Sequence, residues 1–490
     1  MTMAELDNRE KWVILLITCV GALMGPLDST IVSVSLPIIS SDLGMDYATS
    51  IWIPTAYLLA VASLLLTVGR LSDLRGRKPL FQLGFAVFVV GSFLCSVSTS
   101  GGEMIAFRFL QGIGAAMIMS TSPAIITAAF PPEERGKALG INAMAVYIGL
   151  SLGPPLGGFL TASFGWPSIF LVNVPIGIVV IALSYFFLKE PARAARPRPF
   201  DLTGAATFAI GLSALLADLT LGEEMGWVSP VSIVLLFITV ISFAAFILIE
   251  RRKGRDAMLD LHLLTGNRLF AMANVSALLN YTSYFGISFL LSFYMQRVLE
   301  YSLFLTGLVL LSMPLVMSIL SPVMGAASDR IGSRVLASGG MVLTGIGLLL
   351  LGTIGEATST TELVAYLVIL GIGMGMFSSP NTSAIMGCVP KEQLGVASGT
   401  LSTMRTVGQS LSLAIMGALV ATVASTAVVS ELFSGSIGPA TSVGAEEFVR
   451  GMQLAFTVSA GIAFIGALTS LARGKVVRCE VEPGEERAAP

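Results

Sequence analysis

The feature that most limits this chain is a recurring apolar run of about twenty residues, each run ended by a short charged or Gly/Pro-rich link. Fourteen such runs can be marked, at 12–36, 48–69, 79–98, 102–125, 138–160, 168–188, 202–221, 230–249, 268–293, 302–323, 334–353, 362–385, 395–422 and 452–472. Lipid admits only structures that satisfy their own backbone hydrogen bonds, which means helices or closed barrels. Barrel strands would be about 10 residues long and strictly alternating. These runs are longer and apolar on all sides, so they predict helices. Of the 490 residues, 54% are hydrophobic and 12% charged, whereas a soluble domain carries roughly 25% charge. A water-soluble enzyme, a disordered chain and a disulfide scaffold are excluded on this ground. The formal net charge of -2 gives no basic surface for nucleic acid. The first run, Trp12 to Leu36, is too long for a signal-peptide core and reads as a retained helix.

Orientation follows from the cations. With the N-terminus inside, nearly all of the 28 Lys and Arg fall in loops on one side; Arg297 and Arg450 fall in the opposite loops, and Arg108 and Arg405 fall within runs. A missed helix would invert every later loop, so this asymmetry supports an even count with both termini cytoplasmic. An internal repeat supports the same plan. Gly69-Arg-Leu-Ser-Asp73-Leu-Arg-Gly76-Arg77-Lys78 follows the second run. Gly325-Ala-Ala-Ser-Asp329-Arg330-Ile-Gly332-Ser-Arg334 follows the tenth, 256 positions later and in register. The expected architecture is an all-α integral membrane protein of 14 transmembrane helices. It has an N-terminal six-helix bundle (1–190), an extra helix pair with its linker (191–262), and a C-terminal six-helix bundle with a short cytoplasmic tail (263–490). Duplicated bundles of this kind are one known plan for secondary transporters.

Few residues inside the runs can do chemistry. Asp28 lies in Met24-Gly-Pro-Leu-Asp28-Ser-Thr30. A charged group deep in a span costs about 2.5–3.5 kcal/mol on insertion scales, so Asp28 is a candidate proton carrier or cation partner. The bland alternative is an acid near the outer mouth, bonded by Ser29 and Thr30. Arg108, in Arg108-Phe-Leu-Gln111-Gly112, must find acceptors or snorkel to the outer surface. Glu103 sits nearer that surface. Arg405 and Gln409, one turn apart, would contact cargo or orient an acid, unless Arg405 reaches the inner surface. Gly149, Gly153, Pro154, Gly157 and Gly158 form a small-residue stripe with tandem prolines, which predicts a bent, closely packed helix. Asp73 with Arg75, Arg77 and Lys78 suits a gate in which a carboxylate caps a neighbouring helix. Asp218 ends the seventh run, and Glu223 and Glu224 form its outer turn.

The four cysteines, Cys19, Cys95, Cys388 and Cys479, are far apart, and no disulfide framework is expected. The single histidine, His262, excludes a His-rich metal site. No ATP-binding, zinc-protease or serine-hydrolase motif is present, and neither an enzymatic activity nor a cofactor or metal is expected.

Taken together, these segments resemble the major facilitator superfamily, in its fourteen-span drug:proton antiporter branch, over nearly the whole chain. Gly69 to Lys78 resembles the inner-loop motif of that family, with a degenerate copy at 325–334. Arg108 to Ala116 resembles its fourth-span motif and Gly149 to Gly158 its antiporter motif. Leu27 to Pro37, Trp166 to Pro175 and Ala257 to Leu264 are similar to further signatures of the branch. The resemblance implies that Asp28 couples protons, that Arg108 links protonation to conformational change, that Asp73 bridges the halves, and that Gly153, Pro154 and Gly157 favour export. Two departures stand out. Leu74 replaces the arginine that usually follows the motif's aspartate, and the thirteenth run carries Arg405 and no acid. The expectation is a monomeric, proton-coupled exporter of small hydrophobic or cationic drug-like molecules in the inner membrane. The alternatives are an exporter of a specific metabolite or siderophore, and a transport-inactive membrane sensor.

Overall fold

A computed structural model describes residues 8–45, 49, 52–188, 201–226, 228–253, 263, 265–390, 393–423 and 442–474. Every regular element among them is helical. The N-terminal half holds α1 (Asn8–Asp42), α2 (Trp52–Arg75), α3 (Arg77–Ser96), α4 (Gly101–Ala129), α5 (Pro132–Phe164), α6 (Ser168–Leu171) and α7 (Asn173–Phe187). A hairpin of α8 (Leu202–Met225) and α9 (Pro230–Lys253) follows. The C-terminal half holds α10 (Arg268–Tyr284), α11 (Ile287–Phe293), α12 (Leu303–Ile331), α13 (Ser333–Leu351), α14 (Thr360–Gly387), α15 (Leu394–Val423) and α16 (Ser442–Ala472).

Each of the fourteen apolar runs contains helix. Among the described residues, eleven helical segments are long and apolar enough to cross a membrane unaided. A twelfth is α5, whose arms Pro132–Gly153 and Pro155–Phe164 meet at 46°, a bend placed where the tandem prolines remove backbone donors. The run at 268–293 differs from the single helix expected. It breaks at Gly286, where the N–H donates to Ser412 Oγ at 3.0 Å and an added Cβ would meet Met416 Sδ. The run at 168–188 likewise divides at Val172 into α6 and α7. The domain limits at 190 and 262 fall at 189–200 and 254–262, outside the described residues, as do His262 and Cys479. The side chains of Pro154, Glu223 and Glu224 are also outside them.

Packing divides the molecule in two. In the first half α1 lies on α5, and α4 lies on α2 and α3. In the second, α14 lies on α12 and α13, and α16 on α10 and α13. The halves meet where α2 lies along α15 and α5 along α12. The α8–α9 hairpin sits over one of these seams. Ala205, Phe208, Leu212 and Leu216 of α8 bury against Ala62 and Leu66 of α2 and Val396 of α15. Its other helix faces outward: Leu236, Phe237, Ile241 and Leu248 of α9 are exposed. A water-soluble protein would hide such a face; here it provides contact with lipid.

The repeated charged segments are more helical than loop-like. Gly69 to Asp73 form the last turns of α2, and Gly325 to Asp329 those of α12. One glycine then turns the chain into the next helix in each copy, Gly76 at φ 100° and Gly332 at φ 95°. A left-handed backbone of this kind is costly for any residue with a Cβ, which explains why both copies carry glycine there. Glu103 has a local explanation. Ser100 caps α4 by accepting from the Glu103 N–H, and Glu103 accepts from the Thr99 N–H at 2.8 Å, as at a helix start stabilised by a capping box. Cys19, Cys95 and Cys388 are buried thiols, and among the described residues none of them is in a disulfide.

Candidate functional site

Asp28 and Arg108 meet inside the N-terminal half. Both side chains are fully buried, and Arg108 Nη1 lies 2.5 Å from Asp28 Oδ2. Arg108 therefore does not snorkel. Gln111, one turn along α4, faces the same way; its Nε2 donates to Asp28 Oδ1 at 2.9 Å and to Ser92 Oγ at 2.7 Å, and its Oε1 accepts from Arg108 at 2.6 Å. Asn173 begins α7 just after the break at Val172, and its Nδ2 donates to Asp28 Oδ1 at 2.8 Å. Tyr57 closes the other side, with its ring 4.4 Å from the Arg108 guanidinium and its hydroxyl donating to Gly25 O. Arg108 Nη2 is buried without a partner. The carboxylate thus receives three donors from α4 and α7 and is fully buried. Gln111, Ser92 and Asn173 were not singled out from the sequence. Gln111 had a signal, its i, i+3 spacing from Arg108; Asn173 had only its place in the Trp166–Pro175 segment.

Arg405 and Gln409 lie elsewhere, in the C-terminal half. A cavity of about 30 Å³ lies between the halves, lined by Pro123, Leu139, Asn142, Ala143, Val146 and Tyr147 on one side and Tyr281, Ser378, Thr382 and Arg405 on the other. It has room for about one or two waters and is far below the 300–1,000 Å³ typical of drug-sized ligands, so the halves are closed on each other here. Arg405 Nη2 donates to Thr382 Oγ1 at 2.7 Å, and its guanidinium lies 5.6 Å from the Tyr281 ring. Arg405 turns into this cavity. Gln409 is half-buried and does not line it.

The charge-rich face closes by backbone. Asp73 Oδ1 accepts from the Gly395 N–H and Oδ2 from the Val396 N–H, both at 2.9 Å. These are first-turn donors of α15 that have no partner within the helix, so a carboxylate of one half caps a helix of the other. Arg77 Nη2 reaches Asp73 Oδ1 at 3.3 Å. Leu74 takes no part, so the departure at that position leaves these bonds intact. Approach this close requires glycine. A Cβ on Gly69 would meet Gly395 O, and one on Gly395 would meet Gly69 O, Ser72 and Asp73.

The second copy repeats the contact more weakly. Asp329 Oδ1 accepts from the Gly136 N–H of α5 at 3.2 Å, while Oδ2 is buried without a partner. Gly325 and Gly136 cross backbone to backbone, and Gly140 lies against Ser321 O. The remaining motif cations do other things. Lys78 donates to Tyr185 O at 2.8 Å within its own half, and Arg330 and Arg334 are exposed.

The small-residue stripe presses α5 onto α1. A Cβ on Gly149 would meet Leu23 O, one on Gly153 would meet Thr30, and one on Gly157 would meet Ile31 O. Gly158 faces open space and has no such constraint.

Two ionic groups fix the polar ends of helices. Asp201 caps α8 by accepting from the Gly204 N–H at 2.7 Å, and it pairs with Lys253 of α9 at 2.5 Å. Burial pushes the Asp201 carboxyl up, but Lys253, Gly204 and Thr203 together hold it below its ordinary value. Arg473 follows α16 and donates to Asn381 Oδ1 at 3.0 Å and Ser333 O at 2.6 Å; burial, with Arg334 nearby, pushes its guanidinium down to about 10. Asp218 is buried in α8 with Oδ1 unpartnered.

The family model of the Major Facilitator Superfamily matches residues 18–259 and 273–488. The riboflavin transporter RibZ of Clostridioides difficile is 34% identical over 415 residues, covering 84% of this chain and 89% of that protein. The multidrug resistance protein Stp of Mycobacterium tuberculosis is 33% identical over 415 residues, covering 84% and 76%. Among solved structures, the proton:xylose symporter XylE bound to 6-bromo-6-deoxy-D-glucose superposes with a TM-score of 0.64 at 14% identity, covering 94% of this chain and 95% of that one. At that identity the likeness is one of fold.

Proposed function

The chain belongs to the major facilitator superfamily, and we propose that this multi-pass protein of the cell membrane exports small hydrophobic, drug-like molecules in exchange for protons. In this reading it crosses the bilayer fourteen times with both termini in the cytoplasm. Residues 1–190 and 263–490 form the two bundles, and 191–262 supplies the extra pair. The face carrying Asp73 and Asp329 is cytoplasmic, in keeping with its cations.

The observation that carries the reading is the sealed Asp28–Arg108 pair. Together the two charges are neutral. A proton reaching Asp28 from outside discharges the carboxylate and leaves Arg108 uncompensated. A buried charge that loses its partner is destabilised by about 3–5 kcal/mol, enough to shift an equilibrium between two arrangements of the halves. The cross-half caps at Asp73 and Asp329 hold the cytoplasmic side shut in one arrangement and release it in the other. Each positive charge moved inward across 100 mV supplies about 2.3 kcal/mol.

The test is uptake of a panel of hydrophobic fluorescent dyes into inverted membrane vesicles under an imposed proton gradient. Gradient-driven uptake that disappears in Asp28→Asn, with the variant folded and inserted, is the expected result. Undiminished flux in that variant would place coupling elsewhere. A second reading, export of one specific metabolite, is favoured by the likeness to a protein named as a riboflavin transporter; uptake confined to a single compound would select it. A transport-inactive sensor would move no compound under any gradient.

A further inference from the structure

We propose that the cavity between the halves selects anionic aromatic molecules, with Arg405 as the group that binds the negative charge. The inference rests on the exporter reading and specifies its cargo. Arg405 is the one charged residue lining the cavity among the described residues. No carboxylate lines it. Asp28, the acid expected to hold a cation, is bonded to Arg108 inside the N-terminal half, and Asp73 and Asp329 are engaged at the face of the bundle.

Arg405 itself is half-satisfied. Nη2 has the Thr382 hydroxyl, the guanidinium carbon lies over the Tyr281 ring at 5.6 Å from its centroid, and Nε is buried without any acceptor. A guanidinium away from bulk water has a strong preference for an anion that offers two oxygens to its fork. Neutral hydroxyls and a ring face are weaker substitutes. When either side opens, a cation entering this cavity meets a positive charge and no acid. A carboxylate, phenolate or enolate meets a donor without a partner.

The aromatic part of the assignment comes from the rings around that donor. Tyr281 and Tyr284 form a tilted pair with centroids 5.5 Å apart, and Tyr147 faces them from α5 across the seam. Flat faces beside a cation suit a planar, conjugated molecule that carries its charge at one edge. Charge also alters the energetics of exchange. A proton moving in while a monoanion moves out transfers two positive equivalents inward, whereas a proton exchanged for a monocation transfers none. Membrane potential is therefore sufficient to drive export of anions, with or without a pH difference.

The test uses the purified full-length protein and two dyes built on one xanthene frame: fluorescein at mildly alkaline pH, where it is anionic, and a cationic rhodamine methyl ester. Binding is read by fluorescence polarisation with unlabelled competitor. Wild type is expected to bind fluorescein about tenfold or more tightly than the rhodamine. Arg405→Gln should remove that preference, and Arg405→Lys should keep part of it. Equal affinity for the two dyes, no fluorescein binding, or fluorescein affinity unchanged by Arg405→Gln each overturns the proposal. The wild-type comparison stands even if a variant fails to fold. In inverted vesicles, a lumen-positive potential without a pH difference should drive fluorescein uptake. Fluorescein preference without any such uptake would keep the anion site and remove export instead.

Discussion

Two arginines in the membrane region, Arg108 and Arg405, are the same residue in opposite circumstances. Arg108 is wholly buried and bonded to a carboxylate, a glutamine and a backbone carbonyl. Arg405 is half-buried beside a threonine and a tyrosine ring, at the boundary between the halves. One charge is neutralised within its own bundle and the other is left for whatever enters. The difference teaches that burial of a charge does not define its role; the identity and location of its counter-charge do. An internal pair can store a response to a proton. A lone cation at a cavity wall can only respond to cargo.

The sharpest way to break this contrast is to remove each arginine in turn. Arg108→Leu leaves Asp28 buried without its cation and should lower stability by about 3–5 kcal/mol. Arg405→Leu strands no acid and should change stability by roughly 1 kcal/mol or less. Thermal unfolding of both variants in detergent reads the difference, and equal shifts would dissolve the comparison. Adding Asp28→Leu to Arg108→Leu should recover much of the loss, because the pair is removed as a unit.

A smaller effect separates the two copies of the repeated motif. Asp73 accepts two helix N–H groups at 2.9 Å each, whereas the Gly136 N–H reaches Asp329 only at 3.2 Å. Asp73→Ala should weaken closure of the charged face by about 1.5–3 kcal/mol, the range for hydrogen bonds to a charged group, and Asp329→Ala by less. Labelling rates of cysteines placed at that face report the opening. A larger effect for Asp329→Ala would reverse the ranking of the two seams.

Glycine substitutions sharpen the same point. Gly395→Ala puts a methyl group into the backbone of α2 and should cost about 1–3 kcal/mol through overpacking. Gly158→Ala adds one to open space and should be neutral or stabilising by up to about 1 kcal/mol, from better helix propensity. Parallel denaturation series would show it if the motif's glycines were equivalent after all.

The smallest expected effect is at the Asp201–Lys253 pair, a third kind of ionic contact, at the end of a helix hairpin. Its carboxyl is held below the ordinary value. The stabilisation it gives is therefore present above the unfolded-state pKa of about 3.9 and is lost as pH falls through the lower folded value. Protease sensitivity of the α8–α9 hairpin should rise in that acid window and stay flat at neutral pH. Lys253→Met should move the rise to higher pH, and no movement would mean that the lysine contributes little.

The helices were largely legible because lipid forces every long apolar run into one shape, and the charged repeat was legible because 256 residues separate two near-copies of it. Asp28 and Arg108 were legible as anomalies in apolar sequence. Their union was not, since 80 residues separate them and only the lateral packing of α1 on α4 brings them together. Gln111 and Asn173 carry no charge, so only the i, i+3 spacing of Gln111 from Arg108 and the place of Asn173 in the Trp166–Pro175 segment set them apart from other amides. The break at Gly286 was hidden by the abundance of glycine in intact spans. The target of Asp73 was legible as a type of partner, a helix N-terminus, but not as Gly395 and Val396, because which helix lies opposite is decided by the assembly of the two halves.

One further consequence follows from the crossings at Gly69–Gly395 and Gly136–Gly325. They are made by main chain against main chain, and the main chain is the same whatever the neighbouring codons specify. Mutation can redecorate the cavity wall around Arg405 one side chain at a time and leave the closing surface untouched. A lineage built on this frame is free to change what it carries without having to reinvent how it shuts.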